Sequence, residues 1–548
     1  MRPCAAGLAP SSSPSETALA RTAAAAGAAT MASRVLALVR DQILASMFGA
    51  GNAMDAFNVA FRIPNLVRDL FAEGAMSAAF VPAFLRQLAT GGRESAWRLG
   101  SNVINALLIV TGVVVVLGVL FATPLVGAFA ADYARVPGKL ELTVSLTRLM
   151  LPFLTLVAVA AALMGMLNSL QHFFVPALAP AMFNIATIVC ALTLVPVVER
   201  AGWPAITAVA IGTLVGGLAQ VSMQWPALRR LGFRYETYLD WKADGLHRML
   251  LMMGPGTIGL AATQVNIFVA TVLATGEGTG AVSWLNYAFR LINLPAGLFG
   301  VSIATATLPA VSRHAARNDT SAVRGTLADG LSLMMVLNVP ATIGLTVLAS
   351  PIIRVLFERR AFLPSDTAAT AAALQFYAIG LVGYSIVRIA SPAFYALGDS
   401  RTPVAISVAA VVVNAAMNLA LVRVLGYRGL ALGTSIAALF NAGALLWVLY
   451  RRLDGLEGRR VTGVFVRILV ASIVMGAAAW AIDRMLPVIV PGAAAVAQTA
   501  RLLVTIGSAI VVLAVSAYVL NIRELRQVVA LAAGRGDASP ADTPPAAP

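Results

Sequence analysis

The sequence predicts an all-α polytopic membrane protein with about 14 transmembrane helices, built as two pseudo-symmetric six-helix lobes plus two C-terminal helices. Three observations predict it. Of 548 residues 59% are hydrophobic and 11% charged, with a mean hydropathy of +0.84, well above the apolar share of about 45–50% found in soluble domains. Apolar segments long enough to cross a bilayer, about 20 residues each, recur along the whole chain. An internal repeat then relates its two halves: DAFNVAFRIPNL from Asp55 matches SWLNYAFRLINL from Ser283, aligning Asn58 with Asn286, Arg62 with Arg290 and Asn65 with Asn293.

Taken in order, residues 1–17 are rich in Pro, Ser and Ala and lack an apolar period, which predicts a disordered leader. The apolar residues that follow run past Arg34 without a compact core or cleavage site, so they are read as a first span and not as a signal peptide. The spans are expected at 18–46, 54–87, 102–131, 142–169, 174–198, 203–228, 246–274, 280–311, 325–349, 367–395, 402–422, 429–450, 463–486 and 496–521. Pro64 and Gly74 in the second predict a kink or break there, and GPG at Gly254–Gly256 predicts a hinge opening the seventh. Residues 522–548 are expected to be a disordered tail.

Six spans separate the repeats, and an even number preserves direction across the membrane. The lobes are therefore expected at 18–228 and 246–450, related by an axis along the membrane normal with a central site between them. Residues 463–521 are the addition. Arg86, Arg93 and Arg98, then Arg229, Arg230, Arg234, Lys242 and Arg248, then Arg451, Arg452, Arg459 and Arg460 all fall on one side of this topology. The positive-inside bias predicts both termini in the cytoplasm.

The first two spans carry Arg34, Arg40, Asp41, Asp55, Arg62, Arg68, Asp69 and Glu73. A charge near the bilayer centre costs at least about 2.5–3.5 kcal/mol, so such residues persist only against a partner or a wet cavity. Arg34 and Asp41, seven apart, share nearly one helical stripe; they are either an internal pair that joins helices or part of a binding surface. Arg68 is open to a second reading as a snorkelling residue. Arg290 in the eighth span has no acid between Glu277 and Asp319. Guanidinium groups from both lobes facing one cavity would hold a phosphate or diphosphate through forked, charge-assisted hydrogen bonds.

Asn414, Asn418 and Thr434, with Gln264 and Asn266, could supply neutral oxygens for a cation. Interhelical hydrogen bonding, worth about 0.6 kcal/mol per contact, is the preferred reading of them. Arg148 and Arg388 near span ends read equally well as interface anchors.

Other classes are excluded on composition. The net charge of +15 lies in short loops and not in a basic stripe with interleaved aromatics, which argues against nucleic acid. Cys4 and Cys190 are placed too differently for a structural disulfide or a metal site. His172, His247 and His314 are all read as loop residues, and no phosphate-cradling glycine loop, zinc spacing or nucleophile elbow occurs, so no enzyme and no cofactor are expected.

SRVLALVRD at Ser33–Asp41, FGAGNAMDAF at Phe48–Phe57, FRIPNLVRDLFAEGAMSAAFVPAF at Phe61–Phe84 and YAFRLINLPAGLFGVSIATATLPAVSR at Tyr287–Arg313 resemble the MurJ/MviN family of lipid II flippases. The family belongs to the multidrug/oligosaccharidyl-lipid/polysaccharide exporter superfamily. The resemblance implies fourteen helices, two lobes in a V shape and alternating access in the bacterial inner membrane. It implies transport of undecaprenyl-diphosphate-linked disaccharide pentapeptide from the inner to the outer leaflet for peptidoglycan synthesis. Carried over by motif, the cavity arginines are Arg34, Arg40, Arg68 and Arg290, with Asp41 and Asp55 as acidic partners and Ser33 and Glu73 at further family positions. The two C-terminal helices resemble those that form a lipid-tail groove, and membrane lipids and cell-wall synthesis enzymes are the implied neighbours.

This chain departs from the family pattern at three places. Asn293 stands where relatives often have an acid three residues after Arg290, and Arg360 replaces the glycine of an FERGAF pattern. Asn414 and Asn418 stand where some members use carboxylates for sodium, leaving sodium coupling open and the membrane potential as the expected drive. The rival functions are a flippase for another polyprenyl-diphosphate glycan, a drug/cation antiporter of the same superfamily, and a non-transporting envelope scaffold.

Overall fold

The structure, a computed structural model, describes residues 14–69, 76–243, 246, 249, 264–489, 491–492, 494–522 and 524. Among these, every regular element is helical. The chain divides into two compact units, Met1–Ser283 and Trp284–Pro548.

The first unit begins with α1 (Pro14–Phe48), so helix starts inside the stretch expected to be a leader. Gly49, in the left-handed region at φ 61°, ends it, its amide bonded to the Ala45 carbonyl at 2.8 Å. In α2 (Asn52–Arg68) Pro64 lies inside the helix. Gly74 lies outside the described residues.

α3 (Met76–Leu120) spans what the sequence divides between the second and third spans; Gly92, at φ 73° and ψ −174°, is its one non-helical residue. After it come α4 (Ala122–Ala130), a 3-10 turn (Ala131–Arg135), α5 (Lys139–Met150), α6 (Phe153–Ser169), α7 (Phe174–Arg200), α8 (Thr207–Arg230) and α9 (Gln264–Thr275). Glycine sets the close approach between α7 and α8, since a Cβ on Gly212 would sit 3.1 Å from the Cα of Thr187 and one on Gly216 3.2 Å from the Cα of Phe183. Phe80, Phe84, Val103, Leu163, Met166 and Leu228 form a buried core of α3, α6 and α8. Beyond α8 the chain runs extended along α3. Asn102 exchanges two hydrogen bonds with the Asp240 backbone at 2.8 and 2.9 Å, and Asn105 donates to the Glu236 and Tyr238 carbonyls at 2.9 and 2.8 Å.

The second unit holds α10 from Trp284 onward (the helix is Ala281–Ala316), α11 (Thr320–Val347), α12 (Ala349–Phe357), α13 (Pro364–Ile379), α14 (Leu381–Ala396), α15 (Arg401–Leu425), α16 (Tyr427–Arg452), α17 (Gly458–Ile489) and α18 (Ala495–Val519). Asp319 caps α11 by accepting from the Ala322 amide at 3.0 Å. α13 and α14 bend by 40° at Gly380, where a Cβ would lie 2.8 Å from the Cα of Ser435. The Ser435 hydroxyl donates to the carbonyls of Phe376 and Tyr377 at 2.7 and 3.2 Å, so it serves backbone groups beside the bend. Leu331, Met334, Ile389, Phe394, Leu445 and Ile468 centre the core that joins α11, α14, α16 and α17. Arg360, in place of the family glycine, adopts φ 48°, a left-handed geometry that a side chain disfavours.

Nine helices among the described residues are long and apolar enough to cross a membrane, ten when α13 and α14 count as one span. The expected first, second, seventh and eighth spans are not among them. Three of these, α1, α2 and α10, carry the arginines singled out above, and α9 is the described part of the seventh.

The unit boundary at Ser283 lies beyond the expected lobe boundary near residue 246, and the reason is a set of contacts that hold α9 and the turn after it on the first unit. Phe268 packs edge-on against Phe129 at 4.6 Å, and Thr279 donates to the Asn52 side chain at 2.8 Å. Asp55 collects the amides of Gly280 and Ser283 at 2.7 and 3.1 Å.

Candidate functional site

α1 presents Ser33, Arg34, Arg40 and Asp41. The expected stripe pair of Arg34 with Asp41 is replaced by a neighbour pair: Arg40 donates through Nε and Nη2 to Asp41 Oδ1 at 3.2 and 2.9 Å. Both side chains are buried, at 9% and 5% exposure, so the carboxylate offsets much of the cost of placing the guanidinium there. The Arg40 guanidinium carbon also lies 5.6 Å from the centre of the Phe183 ring of α7. Phe183 in turn stacks with Phe61 and tilts against Phe153 at 6.2 and 5.5 Å, forming an aromatic bed beneath the charge. Ser33 is buried, and its carbonyl accepts from Asn184 of α7 at 3.2 Å. Arg34 is exposed.

α2 presents Asp55, Arg62 and Arg68. Arg62 is half-buried beside Phe61. Arg68 is half-buried too and reproduces the Arg40 pattern, donating through Nε and Nη2 to Asp69 Oδ1 at 3.0 and 2.7 Å. Glu73 lies outside the described residues.

Asp55 requires a correction. It was expected to serve the cavity arginines, yet it is fully buried with both oxygens engaged: Oδ2 by Lys139 Nζ at 2.9 Å and the Gly280 amide, Oδ1 by the Ser283 amide and hydroxyl, the latter at 2.7 Å. A carboxylate held this way is part of the packing of α2 and α5 and is closed to a ligand. The lysine completing the pair, 3% exposed and 4.1 Å from the Tyr133 ring centre, is a residue that sequence reasoning missed. Its only sequence signal is a lone lysine following VPG at the head of an apolar segment.

In the second unit Arg290 is half-buried on α10. Asn293, in the place of a family acid, donates to the Phe289 carbonyl of its own helix at 2.9 Å. Asn414 and Asn418 are buried on α15, and Thr434 on α16 donates to the Leu430 carbonyl at 2.7 Å. Asn414 Oδ1 and both polar atoms of Asn418 have no hydrogen-bond partner among the described residues. Two amide oxygens suit a cation, whereas the Asn418 amide nitrogen does not, and no carboxylate occurs in 246–274 or on α15 to balance the charge. The set fits sodium poorly.

All-helical among the described residues, with nine to ten helices long and apolar enough to cross a membrane and with arginine–carboxylate pairs on α1 and α2, the chain falls in the class of multi-pass membrane proteins. The comparisons make that class specific. The profile of the family described as "Lipid II flippase MurJ" matches residues 44–496. "Probable lipid II flippase MurJ" of Vibrio cholerae serotype O1 is 35% identical over 471 residues, covering 84% of this chain and 88% of that protein. "Lipid II flippase MurJ" of Burkholderia cenocepacia is 33% identical over 427 residues, covering 77% and 82%. The solved structure "Lipid II flippase MurJ, inward closed conformation" superposes with a TM-score of 0.74 at 25% identity, covering 90% of this chain and 99% of that one. An inward-facing multidrug resistance MATE transporter of the MOP superfamily shares the fold at TM-score 0.62 and 16% identity, covering 78% of this chain and 96% of that one. The chain belongs to the MurJ lipid II flippase family.

Proposed function

We propose that this protein carries undecaprenyl-diphosphate-linked disaccharide pentapeptide from the inner to the outer leaflet of the bacterial inner membrane by alternating access, with both termini cytoplasmic. Arg34, Arg40, Arg68 and Arg290 bind the diphosphate, with Arg62, Ser33 and Glu73 as further substrate-binding residues. The lobes are 18–228 and 246–450, and 463–521 guides the polyprenyl tail. The reading rests chiefly on the buried Arg40–Asp41 pair of α1, set on the Phe183 ring of α7. Such a pair is poised for exchange: a diphosphate offers more negative charge than one carboxylate and a matching fork of acceptors. Asp41 and Asp69 then act as counterions that keep the arginines from binding indiscriminately.

Cargo binding shifts the balance between inward and outward states through this differential interaction. Outward movement of an anion through an inside-negative potential gains about 2.3 kcal/mol per charge per 100 mV, enough to drive transport without a coupling ion.

The experiment is a conditional depletion of the resident flippase, complemented by this chain, with lipid II accessibility measured in the outer leaflet. Arg290→Ala should insert normally and abolish translocation. Retained flipping by that variant would overturn the clamp.

A further inference from the structure

The extended segment that follows α8 has one edge satisfied and one edge bare. Glu236, Tyr238 and Asp240 turn backbone groups toward α3, whose side chains stand in for a neighbouring strand. The Ser101 hydroxyl accepts from the Glu236 amide at 3.2 Å. Asn102 accepts from the Asp240 amide and donates to its carbonyl at 2.8 and 2.9 Å, and Asn105 donates to the Glu236 and Tyr238 carbonyls at 2.9 and 2.8 Å. Successive residues of an extended chain direct their N–H and C=O groups to opposite edges. The amides and carbonyls of Tyr235, Thr237 and Leu239 therefore face away from α3, and they have no hydrogen-bond partner among the described residues. Tyr235 and Thr237 are exposed and Leu239 is half-buried.

Charge divides in the same way. Between Arg229 and Lys242 the chain carries four basic and two acidic residues. Both acids are engaged: Glu236 pairs with Arg98 at 3.6 Å, and Asp240 accepts from the Lys242 amide at 2.8 Å and from the Tyr238 hydroxyl at 3.1 Å. The side chains of Arg229, Arg230, Arg234 and Lys242 are exposed and make neither a hydrogen bond nor an ion pair among the described residues. Tyr235, Tyr238 and Trp241 add rings that are 38%, 42% and 45% exposed.

We propose that residues 234–240 form a docking edge for an extended, acidic peptide segment of a partner protein, added as a second strand. The bare edge alternates donors and acceptors; another backbone matches that pattern, whereas a lipid phosphate, which only accepts, leaves the carbonyls unpaired. The free basic side chains call for carboxylates in the added strand. They also set the edge against a second copy of this chain, because like charges would then face one another. Docking here does not depend on what the protein transports.

The test titrates the full chain in detergent against a fluorescein-labelled, end-blocked heptapeptide of alternating Glu and Val, read by fluorescence anisotropy. Saturable binding is expected. Thr237→Pro removes an outer amide and leaves those that face α3, so it should weaken binding about tenfold. Thr237→Val keeps the backbone intact and should bind as the parent does, and Arg234→Glu should bind more weakly. The same peptide N-methylated at every amide keeps its charge, loses its donors and should not bind. Equal binding of the N-methylated peptide, or of a heptapeptide of alternating Lys and Val, would overturn the proposal. So would the absence of saturation up to about 1 mM. Efficient disulfide dimerisation of a Thr237→Cys protein, abolished by Thr237→Cys combined with Leu239→Pro, would likewise overturn it, since the edge would then belong to a second copy.

Discussion

Asp55 accepts two hydrogen bonds from Ser283, from its amide at 3.1 Å and its hydroxyl at 2.7 Å. These two residues occupy equivalent positions in the internal repeat, and both lie in the first unit. The Asn58 side chain adds a third link, donating to the Ser283 hydroxyl at 3.1 Å. Asp55 supplies a carboxylate to the hydroxyl of Ser283 and to amides at the start of α10, which a negative charge stabilises.

Lys139 completes this cluster and carries the first prediction. Removing one member of a buried ion pair leaves an uncompensated charge and typically costs about 3–5 kcal/mol. Lys139→Ala should therefore lower the thermal unfolding temperature of the detergent-solubilised protein markedly. Adding Asp55→Asn to it should recover part of the loss, because no buried charge is then left unpaired. A Lys139→Ala protein as stable as the parent would contradict the pairing.

Phe183 is expected to act through Arg40 and not on the cargo. A cation over an aromatic face gains about 0.5–2 kcal/mol according to desolvation. Phe183→Leu keeps an apolar side chain and removes the ring quadrupole, so it should weaken translocation several-fold, without the total loss expected of Arg40→Ala. The leaflet accessibility assay measures both. Equal activity of Phe183→Leu and the parent would remove the ring from the site.

Gly380 should tolerate no side chain. Its Cβ would press on the Cα of Ser435 at 2.8 Å, a backbone atom that cannot swing aside. Overpacking of this kind costs about 1–3 kcal/mol, and Gly380→Ala should destabilise the second unit by that order. Ser435→Ala should cost about 1 kcal/mol through the lost hydrogen bonds to Phe376 and Tyr377. Thermal unfolding of the two variants checks both numbers.

Asp399 gives a pH dependence outside the membrane helices. The Thr402 amide, followed by the Thr402 hydroxyl, holds its carboxyl below the ordinary 3.8, with the Arg452 charge contributing in the same direction. Because the folded value is the lower one, this stabilisation is complete above 3.8 and is lost as pH falls through the depressed value. Thermal unfolding followed from neutral pH down to about pH 3 should show an acid limb that Asp399→Asn flattens. Unchanged acid sensitivity in that variant would exclude Asp399 as a contributor.

The sequence by itself determined the membrane class, the helical content, the repeat and the residues whose charge needs explaining, because hydropathy and span length are local quantities written in consecutive residues. Motif resemblance likewise fixed the family before any coordinates. Only the tertiary structure decided the partners. Local spacing suggested Arg34 with Asp41, whereas burial selected Arg40, which the Phe183 ring supports from another helix. Asp55 found its counterion at Lys139, 84 residues away. A charge inside a membrane protein is neutralised by whatever the folded chain brings within about 3 Å, and that proximity has no period in the sequence.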